Sequence, residues 1–304
     1  MFTEVEFLSH RSGAKALCRG RLYEPTSKAT NGAGVVLAHG LCGTMDSGLF
    51  AYAEAFAKAG FHALVFDYRG FGLSDGAPRQ YVNVPMQLAD WRAAIDLLSR
   101  HDNVNGQRLG LWGISFSGGH VVHLAHKDER VRAIVGQVPM LDPVLAANVG
   151  NFHRGAEGTA AMTAQIFRRL KTRWFSKKVD MLQVAPQNKK LPAVLGAKEA
   201  EVYPKLAGPT WRNELHPDSF LNGKIEQNNA SLLTDDLTTP MLLQVGEKDA
   251  AVSNEAIKNF ARRCGPLATL TAYDGGHFTL LQRNAKRTAA IDEAVRFYRE
   301  HLIL

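Results

Sequence analysis

A serine between a buried strand and a helix is the residue of this chain best placed for covalent chemistry. Ser115 stands in the run Gly113-Ile114-Ser115-Phe116-Ser117-Gly118-Gly119, after an apolar segment and before a helical pattern. A serine at such a turn projects its hydroxyl above the sheet, and small neighbours let the strand and helix pass closely. The sequence therefore predicts Ser115 as a nucleophile. Ser117, which has small neighbours of its own, is the alternative nucleophile.

A serine hydroxyl is a weak nucleophile, so a base must take its proton and a third group must orient that base. Asp249 and His277 each follow a predicted strand, which gives the chain order serine, acid, histidine. We expect the three to converge at one edge of the sheet. Asp142 follows an earlier strand and is the alternative acid. Either aspartate can instead cap the element that follows it.

Acyl transfer also creates a negatively charged oxygen, which needs hydrogen-bond donors. The loop His39-Gly40-Leu41-Cys42-Gly43 follows the first parallel strand, and its glycines permit tight backbone conformations. We expect the backbone N–H groups of Leu41 and Phe116 to form the oxyanion hole. His39 is expected to brace this loop.

The elements that position these residues are short, continuously apolar segments alternating with helical patterns. Such segments are typical of strands buried on both faces of a parallel sheet. Strands are predicted at 34–38, 61–66, 108–114, 131–138, 240–245 and 267–273, after a hairpin of 3–9 and 16–23 around Ser12 and Gly13. Helices are predicted at 49–59, 84–100, 117–126, 254–263 and 285–301. This alternation predicts an α/β protein with a mostly parallel, doubly wound sheet.

Residues 140–236 contain no convincing buried strand, and a compact sheet protein does not need so long a connection. We expect them to form a helical cap inserted into a core domain of residues 1–139 and 237–304. The cap would cover the carboxyl ends of the strands, where open α/β sheets bind ligands. Its aromatic residues either line an acyl pocket or form the cap's own core: Trp174, Phe175, Trp211 and Phe220.

The charge of the chain is concentrated in this insertion. The 304 residues carry a formal net charge of +7, and nine Lys or Arg residues against two acids lie between Arg154 and Lys190. The run is either a solvated helix face or a patch that attracts an anionic or carrier-bound acyl substrate. The run lacks the repeated alternation of basic and stacking aromatic residues that is typical of a single-strand groove, so no nucleic-acid partner is expected.

Other classes of protein are disfavoured by what the sequence lacks. No apolar run reaches the length of a membrane span and no export signal is visible, so a cytoplasmic protein is expected. Its three cysteines are widely spaced and odd in number, which predicts reduced thiols. His123 and His126 have no acidic cluster beside them, so no metal site is expected. An oligomer remains possible.

Taken together, these motifs resemble the α/β-hydrolase superfamily over nearly the whole length of the chain. The residues that carry the resemblance are His39-Gly40-x-x-Gly43, the run from Phe66 to Ser74 (FDYRGFGLS), the Ser115 turn, Asp249 and His277. The run Gly118-Gly119-His120-Val121 and the phrase Trp211-Arg212-Asn213-Glu214 also resemble a microbial branch of polyketide transferase-like or dienelactone hydrolase-like proteins. The resemblance implies acyl chemistry on a serine with neither metal nor organic cofactor.

The sequence thus predicts a serine hydrolase that cleaves a carboxylic ester or thioester of a small acyl substrate. Two alternatives stay open. The same acyl-serine could be passed to an acceptor other than water, which would make the protein an acyltransferase. A catalytically silent protein could instead bind a small ligand under the cap.

Overall fold

The computed structural model describes residues 1–11, 13–26, 32–188, 191–196 and 201–303. Ser12 of the predicted hairpin turn, and Lys189 and Lys190 of the basic run, lie outside the described residues. Within the described ranges no helix is long and apolar enough to cross a membrane.

The core of the molecule is an eight-stranded sheet in the order β1-β2-β4-β3-β5-β6-β7-β8. Its strands are β1 (Phe2–Arg11), β2 (Ala14–Tyr23), β3 (Gly34–Ala38), β4 (His62–Phe66), β5 (Leu109–Ile114), β6 (Val131–Gln137), β7 (Met241–Gly246) and β8 (Ala268–Tyr273). β2 pairs antiparallel with β1 and with β4, and the pairs from β4 through β8 are parallel. The mostly parallel α/β sheet predicted from the sequence is confirmed.

The α-helices of the described chain lie between strands, except the last, which follows β8. They are α1 (Phe50–Lys58), α2 (Val84–Ser99), α3 (Phe116–Ala125), α4 (Pro143–Thr172), α5 (Tyr203–Leu206), α6 (Asp218–Asn222), α7 (Asn254–Cys264) and α8 (Ala285–Leu302). Every residue of β3, β4, β5 and β7 is buried, as the continuous apolar segments predicted. β8 departs from that design because it is the edge strand, and half of its residues are exposed.

The strand order reverses at β3. β3 lies between β4 and β5, so the chain leaves β3 toward one side of the sheet and returns on the other. Ligands of open α/β sheets bind in the crevice that such a reversal creates. Ala38, at the end of β3, pairs with Gly113 of β5, which brings the 39–43 loop beside Ser115.

Residues 140–236 connect two neighbouring strands, β6 and β7. Their longest element, α4, begins at a helix cap formed by Asp142 and is broken at Gly155, whose φ of 76° and ψ of 170° are not helical. The side chains of Trp174 and Phe175 are exposed to solvent, at 78% and 90%. The expectation that they line an acyl pocket or a cap core is therefore wrong, because they follow the solvent-facing end of α4.

Candidate active site

Ser115 occupies the turn between β5 and α3 in a conformation that few residues other than glycine adopt, with φ 54° and ψ −117°. The turn is held by close packing. A Cβ atom on Gly113 would lie 2.4 Å from the Ser117 carbonyl oxygen, and one on Gly118 would lie 2.3 Å from Pro139 Cβ. The run of small residues in the sequence is therefore a steric requirement of this turn.

Ser115, His277 and Asp249 form one continuous hydrogen-bonded array. His277 Nε2 lies 2.9 Å from Ser115 Oγ, and His277 Nδ1 lies 2.7 Å from Asp249 Oδ2. A carboxylate only accepts hydrogen bonds, so Nδ1 carries the proton and Nε2 is left to accept from the serine hydroxyl. The Asp249 side chain is fully buried and that of His277 is 3% exposed. The geometry suits proton transfer from Ser115 to His277.

The loops after β7 and β8 carry the acid and the base toward Ser115. The loop after β8 lies on the loop after β7, because Glu247 N–H donates to Tyr273 O and Lys248 N–H donates to Gly275 O, both at 2.9 Å. A Cβ atom on Gly246 would lie 2.8 Å from the Gly275 carbonyl oxygen, so this contact requires a glycine. Asp249 Oδ1 accepts from the N–H groups of Ala251 and Val252, which fixes the carboxylate.

Asp142, the alternative acid, lies at the start of α4. Its Oδ1 accepts from Val144 N–H at 2.9 Å and from Leu145 N–H at 3.0 Å, which is the geometry of a helix N-cap. The structure brings Asp249, and not Asp142, to His277.

Ser117, the alternative nucleophile, is fully buried as the second residue of α3. Its hydroxyl donates to His39 O, so it must accept from the Tyr68 hydroxyl, which in turn accepts from Trp91 Nε1 at 2.6 Å. This chain of hydrogen bonds runs away from His277. It ties the start of α3 to the loop after β3.

The 39–43 loop packs tightly against Ser115. A Cβ atom on Gly40 would lie 2.8 Å from Ser115 Cβ, and one on Gly43 would lie 1.8 Å from His39 Nδ1. His39 Nδ1 accepts from Gly40 N–H at 2.8 Å, so its Nε2 donates to Ser47 O at 3.1 Å. Burial lowers the pKa of His39 to about 4, which keeps the ring neutral at physiological pH.

Leu41 and Phe116 lie at the two positions from which oxyanion donors are expected. Both line the cavity in front of Ser115. Phe116 is the first residue of α3, where N–H groups have no intrahelical acceptor. In the described part of the chain neither N–H donates to a protein acceptor. Both donors are thus available to a ligand.

The cavity in front of Ser115 has a volume of about 320 Å³. Residues from the loops after β3, β5, β7 and β8 form its floor, and residues from the 140–236 segment form its walls. Most of this lining is apolar, including Met140, Met162, Leu195, Phe220 and Phe278. Among the described residues, no cluster of three or more His, Cys, Asp or Glu side chains is arranged to hold a metal ion.

Two residues of the site, Tyr203 and Asn228, were not identified from the sequence. Tyr203 is buried and stacks on Phe278 with ring centroids 4.7 Å apart, and its hydroxyl reaches Leu41 O at 3.4 Å. Asn228 Nδ2 donates to Phe116 O at 2.8 Å. Both come from the 140–236 segment and contact residues far away along the chain, so no local pattern marks them.

The strand order, the serine turn and the insertion after β6 are those of the α/β-hydrolase fold. The chain belongs to the Hydrolase_4 family, described as serine aminopeptidase, S33, whose model matches residues 29–282. The superfamily predicted from the sequence is confirmed.

Known proteins similar to this chain include a quorum-quenching protein and a thiohydrolase. The chain is 44% identical over 125 residues to the quorum-quenching protein AidA of Acinetobacter baumannii (strain MDR-ZJ06). This matched stretch covers 41% of each protein. It is 37% identical over 141 residues to thiohydrolase aneE of Aspergillus aculeatus, covering 46% of this chain and 42% of that protein. These matches therefore span less than half the length of the relatives.

A solved structure extends the similarity of fold over the entire chain. The α/β hydrolase GrgF from Penicillium sp. superimposes with a TM-score of 0.81 at 21% identity and covers 100% of both chains. The similarity of fold therefore covers the full length of both chains.

Proposed function

We propose that this protein is a serine hydrolase that cleaves a carboxylic ester or thioester through an acyl-serine intermediate on Ser115. The observation that carries the proposal is the continuous array from Asp249 through His277 to Ser115. The thiohydrolase aneE, a partial match, supports the same class of reaction.

Acylation follows from the positions of these groups. His277 Nε2 accepts the hydroxyl proton as Ser115 Oγ bonds to the carbonyl carbon of the substrate, and Asp249 stabilises the imidazolium. The N–H groups of Leu41 and Phe116 bind the oxygen that becomes negatively charged. His277 then returns the proton to the leaving oxygen or sulfur as its bond to the acyl carbon breaks, which leaves an ester of Ser115.

Deacylation repeats these steps with water. His277 takes a proton from the water as its oxygen attacks the acyl carbon, and the same two N–H groups bind the oxyanion. When the bond to Ser115 Oγ breaks, His277 returns the proton to Oγ and a carboxylic acid leaves. Residues 140–236 act as a cap that surrounds the acyl group during these steps.

Ester chemistry suits this cavity better than the aminopeptidase activity named for the family. A peptide amino-terminus carries a positive charge and needs a carboxylate to bind it. None of the described residues that line the cavity is an Asp or Glu, and one of them is Arg154. An amino-terminal ammonium would be repelled there, whereas an apolar acyl chain would be stabilised by burial.

Transfer to an acceptor other than water is the second candidate function. The apolar lining of the cavity favours it, because a site that limits water lets an alcohol or thiol compete for the acyl-serine. Partition experiments separate the two activities. Adding an alcohol or thiol acceptor to an ester assay yields a new ester or thioester if transfer occurs, and only free acid if the protein is a hydrolase.

A fluorophosphonate probe, read by intact mass, tests the proposal. We expect one adduct on the wild type and on Ser117→Ala, and none on Ser115→Ala. A p-nitrophenyl ester series then measures turnover. Absence of an adduct on folded wild-type protein would refute the acyl-serine mechanism and leave the ligand-binding alternative.

A further inference from the structure

One face of the first half of α4 lines the cavity in front of Ser115. Its lining residues recur at the spacing of a single helix face: Pro143, Ala146, Ala147, Gly150, Asn151 and Arg154. The face begins near the nucleophile, since Met140 N–H donates to Ser115 O at 2.8 Å. At the rise of an α-helix, Arg154 lies about 16 Å along the axis from Pro143. The cavity thus extends from Ser115 toward an arginine.

Arg154 is held by neutral acceptors. Its guanidinium donates to the backbone carbonyls of Val194 and Ala193, to Asn151 Oδ1 at 2.5 Å and to Thr159 Oγ1 at 3.4 Å. No carboxylate in the described part of the chain lies within ion-pairing distance of it. Burial lowers the pKa of Arg154, but a guanidinium still remains charged at neutral pH. The cavity therefore contains a partly buried positive charge that the described carboxylates do not neutralise.

A partly buried cation without a counter-ion is costly, and an anionic ligand relieves that cost. One Nη2 N–H of Arg154 has no acceptor among the described residues, and a charge-assisted hydrogen bond from it suits a carboxylate or phosphate oxygen. The rest of the lining is mostly apolar, which suits the body of an acyl chain. An anion on the substrate would find its partner in Arg154 and its hydrophobic contacts along the α4 face.

We propose that Arg154 binds an oxyanion carried by the substrate, and that the protein therefore prefers esters or thioesters with a mostly apolar body and an anionic end. The inference rests on the proposed function and names its substrate class. Two sources share this chemistry: a carboxylate at the far end of the acyl chain, and a phosphate on the leaving group of a phosphopantetheine thioester.

The first experiment compares two esters of equal acyl length, p-nitrophenyl octanoate and the mono-p-nitrophenyl ester of octanedioic acid. The readout is the ratio of their kcat/KM values. We expect Arg154→Met to lower the ratio of the anionic to the neutral ester by about 10- to 100-fold, mainly through KM, because a charge-assisted hydrogen bond is lost. Arg154→Lys should restore part of the ratio. Arg168→Met, which removes an exposed arginine of the same helix, should leave it unchanged.

The second arm identifies the source of the anion. It compares octanoyl-pantetheine with octanoyl-phosphopantetheine on the same variants. If Arg154→Met loses selectivity only between the two p-nitrophenyl esters, the arginine binds an anion at the acyl end. If it loses selectivity only between the two pantetheine thioesters, the arginine binds the phosphate of the leaving group. Either result supports an oxyanion site.

A binding measurement keeps the inference independent of turnover. Octanedioate should bind the Ser115→Ala variant more tightly than octanoate does, and Arg154→Met in that background should abolish the difference. If Arg154→Met changes none of these ratios, Arg154 only braces the Ala193–Val194 backbone and the inference is overturned. That result leaves the proposed function intact, whereas a wild type without a fluorophosphonate adduct refutes the proposed function itself.

Discussion

The Ser117 hydroxyl donates a hydrogen bond to the backbone carbonyl of His39, and this contact joins the start of α3 to the loop after β3. The same hydroxyl accepts from Tyr68, so a single buried side chain fastens two of the segments that surround Ser115. Ser117 occupies the position of the last glycine in a G-x-S-x-G motif, and here its hydroxyl holds two loops together.

Replacing Ser117 with alanine should lower stability without removing the reactive serine. The buried His39 carbonyl and Tyr68 hydroxyl would lose this partner, so we expect a loss of about 1–3 kcal/mol in the free energy of unfolding. Urea denaturation measures it, with Thr26→Ala, which removes an exposed hydroxyl, as control. Loss of the fluorophosphonate adduct with unchanged stability would instead make Ser117 the nucleophile.

Substitutions of the two candidate acids, Asp249 and Asp142, should lower kcat by very different amounts. Asp249→Asn removes the charge that stabilises the His277 imidazolium and disturbs its tautomer, so we expect kcat to fall by about 10³- to 10⁴-fold. Asp142→Asn should change kcat by less than about twofold, because asparagine is also a good N-cap. Ester hydrolysis at saturating substrate provides the measurement. Equal effects of the two substitutions would contradict the assignment.

A side chain added at Gly150 should shorten the cavity in front of Ser115. A Cβ atom added there meets nothing within 4 Å, and the residue lines the cavity. A leucine at this position should fill part of that space and shift the preference toward short acyl chains. We expect Gly150→Leu to lower kcat/KM for p-nitrophenyl octanoate by at least about tenfold relative to the acetate ester. An unchanged chain-length profile would place the acyl group elsewhere.

Buried histidines should make the fold sensitive to acid. Burial lowers the pKa of His120 from 6.5 to about 3, and the pKa values of His39 and His123 to about 4. Between these values and 6.5 the unfolded chain binds more protons than the folded protein, so the free energy of unfolding falls as the pH falls. Above pH 6.5 the contribution is fully present.

His120→Leu tests this dependence. The His120 ring packs against Phe116 and Tyr68, and leucine keeps an apolar contact there. The slope of unfolding free energy against pH reports how many more protons the unfolded chain binds than the folded protein. Between pH 5 and 6.5 we expect that number to be smaller by about one in His120→Leu. His10→Leu on the exposed face of β1 serves as the control. An identical slope in His120→Leu and wild type would refute the pKa assignment.

The core of the sheet could be predicted from sequence because it is encoded locally. β3, β4, β5 and β7 are buried on both faces and therefore appear as continuous apolar segments, which fixes their positions to within one or two residues. The residues that follow each strand then meet at one edge of the sheet for geometric reasons. This is why Ser115, Asp249 and His277 could be selected without coordinates, although their roles in catalysis stay a prediction.

The 140–236 segment could not be predicted in the same way. Two of its contacts with the site join residues more than a hundred positions apart, Asn228 with Phe116 and Tyr203 with Leu41. Aromatic residues of this segment lie in opposite environments: Trp174 is exposed, whereas Tyr203 is buried. Arg154 looked like one member of a basic run, and only the helix face of α4 sets it apart from Arg168.

The insertion leaves and rejoins the sheet through adjacent strands, since Ile134 of β6 pairs with Met241 of β7. Because these strands are parallel, it leaves at the carboxyl end of β6 and returns at the amino end of β7, and the two strands pair directly with each other whatever its length. An insertion of another length or sequence can therefore stand at this place while the Ser115 turn and the His277 loop keep their positions in the sheet.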